Sequence, residues 1–256
     1  MEKDSPGSKV VTFDALKAAC GTCSLHDLCL PRGLSDADVA ELERIVVRAR
    51  PHSRGKALFR ADETFRALYV PRSGAVKTYT LGAQGDEQII GFHLPGEIIG
   101  LDGVVERRHQ VTAQALEMSA VCEVPFDQLE LTALRVPALA HQLMRLMSRE
   151  ITSKEQQLLV LGDHSPERRL ALLLKDLSER FAHRGFSATE FNLPMSRQDI
   201  AAYLRLAAET VSRAFGKLQR EGMVAVDGRL VRITDAAALG ELAGHGPSMA
   251  SCSKAS

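Results

Sequence analysis

Between Leu193 and Ile233 two helical signatures and a hairpin signature follow one another with almost no residues between them, and few folds accept that order. Ser196 precedes an apolar-periodic run with Asp199 three residues on, a capping-box arrangement that starts a helix. Leu204-Arg205-Leu206 leaves room only for a tight connection before a second helix, roughly Ala207 to Arg220. At 100° per residue, Val211, Phe215 and Leu218 fall on one side of that helix, and Glu209, Ser212, Arg213 and Arg220 on the other. Gly222 ends it, and Asp227-Gly228 between two alternating apolar runs is a hairpin signal. Helix, turn, helix and hairpin in this order predict a winged helix-turn-helix, whose second helix enters the major groove of double-stranded DNA.

The exposed face carries suitable chemistry. Arginine pairs bidentately with guanine, glutamate accepts from cytosine, and serine serves several bases. Residues 193–233 hold Arg197, Arg205, Arg213, Lys217, Arg220, Arg229 and Arg232 against Asp199, Glu209, Glu221 and Asp227, a local excess of +3 in a chain of formal net charge +0. Arg197 and Arg220 are counted as DNA contacts with Glu209, Ser212 and Arg213. An ordinary helical pair would show a solvated charged face, but would not need the cap and the hairpin as well.

Cysteine supplies the second constraint. Cys20, Cys23 and Cys29 form a C-x2-C-x5-C run, and Cys122 follows far along the chain; Cys252 lies in a polar tail and reads as a bystander. The N-terminus lacks the apolar run of a signal peptide, and no stretch approaches the roughly 20 apolar residues that cross a bilayer. A cytoplasmic protein without membrane contact is expected, and in that compartment clustered thiols are metal ligands or redox groups before they are disulfides. Four thiolates satisfy either Zn2+ or a [4Fe–4S] cube, and spacing alone leaves both open. His26 is an alternative ligand, though a loop histidine is more often solvated.

Between these features the pattern changes twice. Ser35 caps a short amphipathic helix running to about Arg50, and residues 51–135 break into short β-type runs such as 67–70, 76–80, 88–92 and 119–124, which predict an antiparallel roll with Cys122 on its last strand. Pro137 opens a helix of about 25 residues. Ala140, Met144, Met147, Ile151, Leu158 and Leu161 step by threes and fours with Lys154 in one polar slot, the spacing of a parallel dimer seam. A long core helix packed on its own chain is the alternative. Two copies of Lys154 meeting in a seam would repel unless the partner's Glu150 or Glu155 answers them, so Lys154→Ala is expected to strengthen dimerisation of the metal-free protein. The resulting division is 1–30 for the loosely tied N-terminal segment with the cysteine loop, 31–136 for the roll, 137–162 for the long helix, 163–240 for the reader and 241–256 for a polar tail.

Taken together, the cysteine arrangement, Gly85-Asp86-Glu87-Gln88, Gly91-Phe92-His93-Leu94, Cys122-Glu123-Val124-Pro125-Phe126, Arg145-Leu146-Met147-Ser148 and Glu209-Thr210-Val211-Ser212-Arg213 resemble the FNR (fumarate and nitrate reduction regulator) branch of the Crp/Fnr transcription regulators over about residues 18–244. The resemblance implies an α+β fold: an N-terminal cysteine loop, an antiparallel β-roll sensor like those that bind cyclic nucleotides, a long dimerisation helix and a C-terminal winged helix-turn-helix. It implies a [4Fe–4S] cluster on Cys20, Cys23, Cys29 and Cys122, which oxygen converts to [2Fe–2S] so that a homodimer loosens and promoter DNA is released. It further implies a site like TTGAT-N4-ATCAA read by Glu209, Ser212 and Arg213, and contact with RNA polymerase through loops such as Gly85-Asp86. Lys154 departs from the family pattern, which is acidic there.

Three other functions compete with this reading. A cyclic-nucleotide regulator would carry Gly-Glu…Arg-Ser-Ala; this chain keeps Gly96-Glu97 but reads Val111-Thr112-Ala113 where the arginine belongs, so a buried phosphate has no cation. An iron–sulfur carrier or enzyme has no use for a reading helix, and the chain shows no phosphate loop or nucleophile elbow. A zinc-stapled DNA-binding regulator stays open on the residues alone.

Overall fold

The computed structural model describes residues 20–160, 162 and 165–244. The expectations for residues 1–19, Leu161 and the tail with Cys252 lie outside the described residues. Ser35 accepts the Asp38 amide at 3.3 Å and starts α1, Asp36–Ile45. Seven strands follow: β1 Val47–Arg48, β2 Ala57–Phe59, β3 Ala67–Ser73, β4 Val76–Leu81, β5 Glu87–His93, β6 Thr112–Ala115 and β7 Ala120–Pro125. They pair antiparallel in two sheets, β1-β7-β3 and β2-β6-β4-β5, which make the roll.

Two boundaries differ from the sequence expectation. The first helix stops at Ile45 rather than near Arg50, because Val46 turns extended and Val47 and Arg48 pair with Glu123 and Cys122. Residues 126–135 are a helix, α2 Phe126–Arg135, not a last β-run. Its apolar residues Phe126, Leu129 and Ala133 repeat at three and four, a period the short preceding strands obscure. Leu129 is fully buried there.

α3, Pro137–Val160, is the expected long helix, and α4, Pro166–Ala182, starts on a Ser165 cap with proline in its first turn. The reader comprises α5 Arg197–Leu204, α6 Ala208–Arg220 and a three-stranded sheet, β8 Glu190–Asn192, β10 Leu230–Ile233 and β9 Val224–Asp227. The wing hairpin stands as expected, with Gly228 at φ +57° in its turn; β8 adds a third strand too short to leave an alternation. A last helix, α7 Ala236–Ala243, is capped by Asp235 and buries Leu239 and Ala243, so the chain is still folded past residue 240.

Three clusters make the interior. One packs α1, α2 and the start of α3 on β3 and β7, through Leu42, Leu68, Val124, Leu129 and Leu139, and draws in Cys20, Cys29 and Cys122. A small one fills the roll around Phe59, Val76 and Ile99. The third is the reader's core of Leu170, Leu174, Leu177, Ile200, Val211 and Phe215, continuous with Ile89, Phe92 and Leu94 of the roll.

Candidate metal centre and DNA-reading surface

Successive turns bend the cysteine loop. The amides of Cys23 and His26 reach the carbonyls of Cys20 and Cys23 at 3.2 and 2.9 Å, and a single helical turn over His26–Leu28 precedes Cys29. Three anchors hold it. Leu30 is 2 % exposed in the core, the Gly21 amide donates to Glu43 Oε1 on α1 at 2.9 Å, and Gln142 Nε2 on α3 donates to the Cys29 carbonyl at 3.0 Å. Cys122 meets the loop from β7, paired with Arg48 on one side and Val70 on the other.

All four thiols are free and line one cavity with Leu25, Leu30, Val70, Val124 and Arg72. Among the described residues no three His, Cys, Asp or Glu side chains are grouped closely enough to hold a metal ion. Four thiolates are the donor set of a zinc ion and of a cube alike. Burial, with the neighbouring thiols adding to it, pushes Cys20 and Cys29 up to about 12. Burial also raises Cys122, and Arg72 and Arg48 oppose it. Four thiolates assembled in this apolar setting call for a positively charged inorganic core, and the donor set fits an iron–sulfur cluster. His26 lines the same cavity but turns its Nδ1 to Asp27 at 3.2 Å.

α3 has two faces. Leu139, Gln142 and Leu146 are buried toward the roll. Met144, Met147, Ile151 and Leu158 are 57, 38, 60 and 70 % exposed, and Ala140 is half-buried. These positions form the apolar stripe expected of a seam. Lys154 does not join it. Its Nζ donates to the Ile90 carbonyl at 3.1 Å and pairs with Glu150 at 3.3 Å, so the charge lies against β5. Glycine at position 91 permits this close approach, since a Cβ there would meet Lys154 Nζ and His93 Nε2 at 3.2 Å.

In the reader, Ser196 and Asp199 close the expected capping box, and Arg205 takes a left-handed conformation at φ +53° in the turn before α6. Val211, Ala214, Phe215 and Leu218 are buried, while Glu209, Ser212, Arg213 and Arg220 are exposed together on the opposite face. Arg213 Nη2 touches Thr210 Oγ1 at 3.2 Å and Ser212 Oγ donates to the Ala208 carbonyl at 3.0 Å, both bonds that DNA can replace. Arg197 is the exception among the expected DNA contacts. Its guanidinium stacks on the Phe215 ring at 3.5 Å and is half-buried, so it packs α5 on α6. Gly85 and Asp86 are exposed in the turn between β4 and β5.

The Crp-like helix-turn-helix domain matches residues 168–242 and the cyclic nucleotide-binding domain matches residues 49–133. The chain is 47 % identical over 228 residues to the transcriptional activator protein FnrA of Stutzerimonas stutzeri, covering 89 % of this chain and 93 % of that one. It is 45 % identical over 226 residues to the fumarate and nitrate reduction regulatory protein of Escherichia coli K12, covering 88 % and 90 %. The chain belongs to the Crp/Fnr family of transcription regulators. The structure of FixK2 from Bradyrhizobium japonicum, 31 % identical, superposes with a TM-score of 0.72 over 78 % of this chain and 99 % of that one. As a Crp/Fnr regulator the protein is not an enzyme, and it reads DNA through its C-terminal domain. No helix of the described residues is long and apolar enough to cross a membrane.

Sequence reasoning missed Gln142, Arg72 and Arg48 around the thiols. Gln142 left one signal, a polar residue inside the Leu139–Leu146 stripe. The two arginines left none, because strand register decides what faces Cys122.

Proposed function

We propose that this regulator senses oxygen through a [4Fe–4S] cluster held by Cys20, Cys23, Cys29 and Cys122, and binds a palindrome like TTGAT-N4-ATCAA as a homodimer in the cytoplasm. The observation that carries this reading is the convergence of four thiols on one cavity whose loop is bonded to α3 by Gln142. Bound there, the cluster would tie the loop to β7 through the four thiolates and would supply an iron–sulfide core that oxygen can oxidise.

The chain's own residues do the rest. Beyond its own turns, loop 20–29 is tied to the fold mainly by the three anchors, so its position would follow metal ligation. While ordered, it presses Cys29 and Leu30 on the buried side of α3 and presents the opposite stripe, Met144, Met147, Ile151 and Leu158, to a second copy. Two joined readers gain by effective concentration what one half-site cannot supply, so weakening the seam releases DNA. Half-sites about 34 Å apart put both copies of α6 on one face of the duplex. Glu209, Ser212 and Arg213 read bases, Arg220 contacts phosphate, and the Gly85-Asp86 turn faces outward for RNA polymerase.

The cyclic-nucleotide reading is disfavoured by the roll itself. Thr112 and Ala113 are buried where a phosphate needs a cation, Glu97 is engaged by two arginines, and His109 stacks on Phe59 at 3.5 Å inside the roll.

Anaerobic purification tests the proposal, with iron, sulfide, absorbance, sedimentation and DNA binding followed during air exposure. A brown, iron- and sulfide-containing dimer that bleaches, dissociates and leaves DNA in air is expected. A colourless zinc protein indifferent to air, or equal DNA binding before and after exposure, would overturn it.

A further inference from the structure

The reader is joined to the sensor by more than the long helix. Glu97, in the turn after β5, receives Arg180 Nε at 3.0 Å and Nη2 at 2.7 Å, and Arg184 Nη2 at 2.5 Å. The same arginines, at the end of α4 and just beyond it, donate to the carbonyls of Phe92 at 2.6 Å and Pro95 at 2.8 Å. Their side chains are 15 and 5 % exposed.

Two further polar contacts fall on residues that shape the reading motif. Lys77 on β4, 6 % exposed, pairs with Asp199 at 2.9 Å, the carboxylate that closes the cap of α5. Arg205, the left-handed residue before α6, donates Nε and Nη2 to the Gln88 side-chain oxygen at 3.1 and 2.7 Å in the amide orientation that satisfies both groups. The Phe92 and Tyr203 rings meet at 5.0 Å between them.

We propose that Glu97 and the β4–β5 hairpin form an interdomain clasp that fixes where α6 points, and so sets the spacing between half-sites that the dimer accepts. The base of the reader and its capping box are held by charged groups of the sensor, Glu97 and Lys77, and its turn by the Gln88 amide. Buried ion pairs of this kind add little stability over apolar packing but impose one geometry. Changing the DNA spacer by one base pair moves a half-site by about 3.4 Å and rotates it by about 34°. A reader on a hinge follows that change; a clasped one does not. The Gly-Glu pair that serves a ligand cassette in nucleotide-binding relatives is here committed to the domain interface. The clasp rests on DNA reading by α6 and is independent of which metal the cysteines hold.

The test compares the anaerobic dimer and its Glu97→Gln variant on duplexes with TTGAT and ATCAA separated by three, four or five base pairs. The parent should prefer four by about a hundred-fold, within the range that linked half-sites gain. Glu97→Gln should narrow this to within about ten-fold while sedimenting as the same dimer. A variant that discriminates as sharply as the parent, or loses affinity equally on all three duplexes, overturns the clasp. Failure of the parent on every duplex instead sinks the assumed operator. The palindrome the parent selects from randomised DNA then replaces it, with its spacer varied in the same way. Lys77→Met provides the second arm should Glu97→Gln not fold.

Discussion

Gln142 links the cysteine loop to α3 by a single side-chain bond. Its Nε2 bonds the Cys29 carbonyl, but its Oε1 is buried with no partner among the described residues. The Cys29 carbonyl also accepts the Arg32 amide at 3.3 Å. Gln142→Met therefore leaves no new unpaired group and removes an old one, so unfolding free energy should stay within about 1 kcal/mol of the parent in urea titration. The cluster-loaded dimer should nevertheless dissociate more readily in anaerobic sedimentation, because the tie between loop and helix is gone. An unchanged dissociation constant would remove Gln142 from the pathway. Lys154 reverses the expectation formed from heptad spacing. In the single chain its Nζ is bonded to β5 and to Glu150, so Lys154→Ala is expected to relieve no seam repulsion. Truncation should cost about 0.5–1.5 kcal/mol of stability through the lost bond to Ile90 and leave apo self-association no stronger. Stronger association on sedimentation would restore the repulsion account.

At the scale of elements, α3 explains why its pattern was legible and its polar slot was not. A helix that is apolar on two sides must bury both, and the heptad spacing identifies the stripe at 144, 147, 151 and 158. Which way a long lysine at its margin turns depends on a carbonyl of β5 that spacing cannot see. Ile151 is 60 % exposed in the single chain, so Ile151→Ala should hardly alter monomer unfolding. In the dimer it should cost about 2 kcal/mol, a roughly thirty-fold weaker association. Equal loss in monomer stability and dimer affinity would mean the residue packs inside its own chain. The reader was legible for the same reason: capping, facing and hairpin chemistry act within a few residues, and each appears at its expected place. α2 was hidden because its short period follows directly on the β-runs, and α7 because eight residues, nearly all small or apolar, mark no polar face.

The whole molecule answers to acid through groups that lie between its layers. His93 is buried against Thr78 Oγ1 at 3.1 Å, and burial holds it down at about 4, with Lys154 and Arg180 opposing Glu150 and Glu97 around it. Burial resists ionisation of Glu97 too, but Arg180 and then Arg184 outweigh it and hold the carboxyl at about 2. In both cases the unfolded chain takes up the proton first. The stability tied to His93 is therefore complete above pH 6.5 and lost as the pH falls through 4, on the order of 3 kcal/mol. That tied to Glu97 is complete above 4.5 and lost toward 2. Urea midpoints from pH 7 to 3 should fall in this order, and His93→Gln should shrink the upper step; an unaltered upper step would contradict the assignment.

By itself the sequence determined the reading motif, the strand-rich sensor, the long two-faced helix and the four thiols, because caps, turns, periodicity and ligand chemistry are properties of neighbouring residues. Only the tertiary structure decided that Arg197 packs inward, that Lys154 bonds β5, that Gln142 touches the cysteine loop, and that Glu97 holds the reader. Each of those outcomes depends on which distant backbone comes within reach of a long polar side chain.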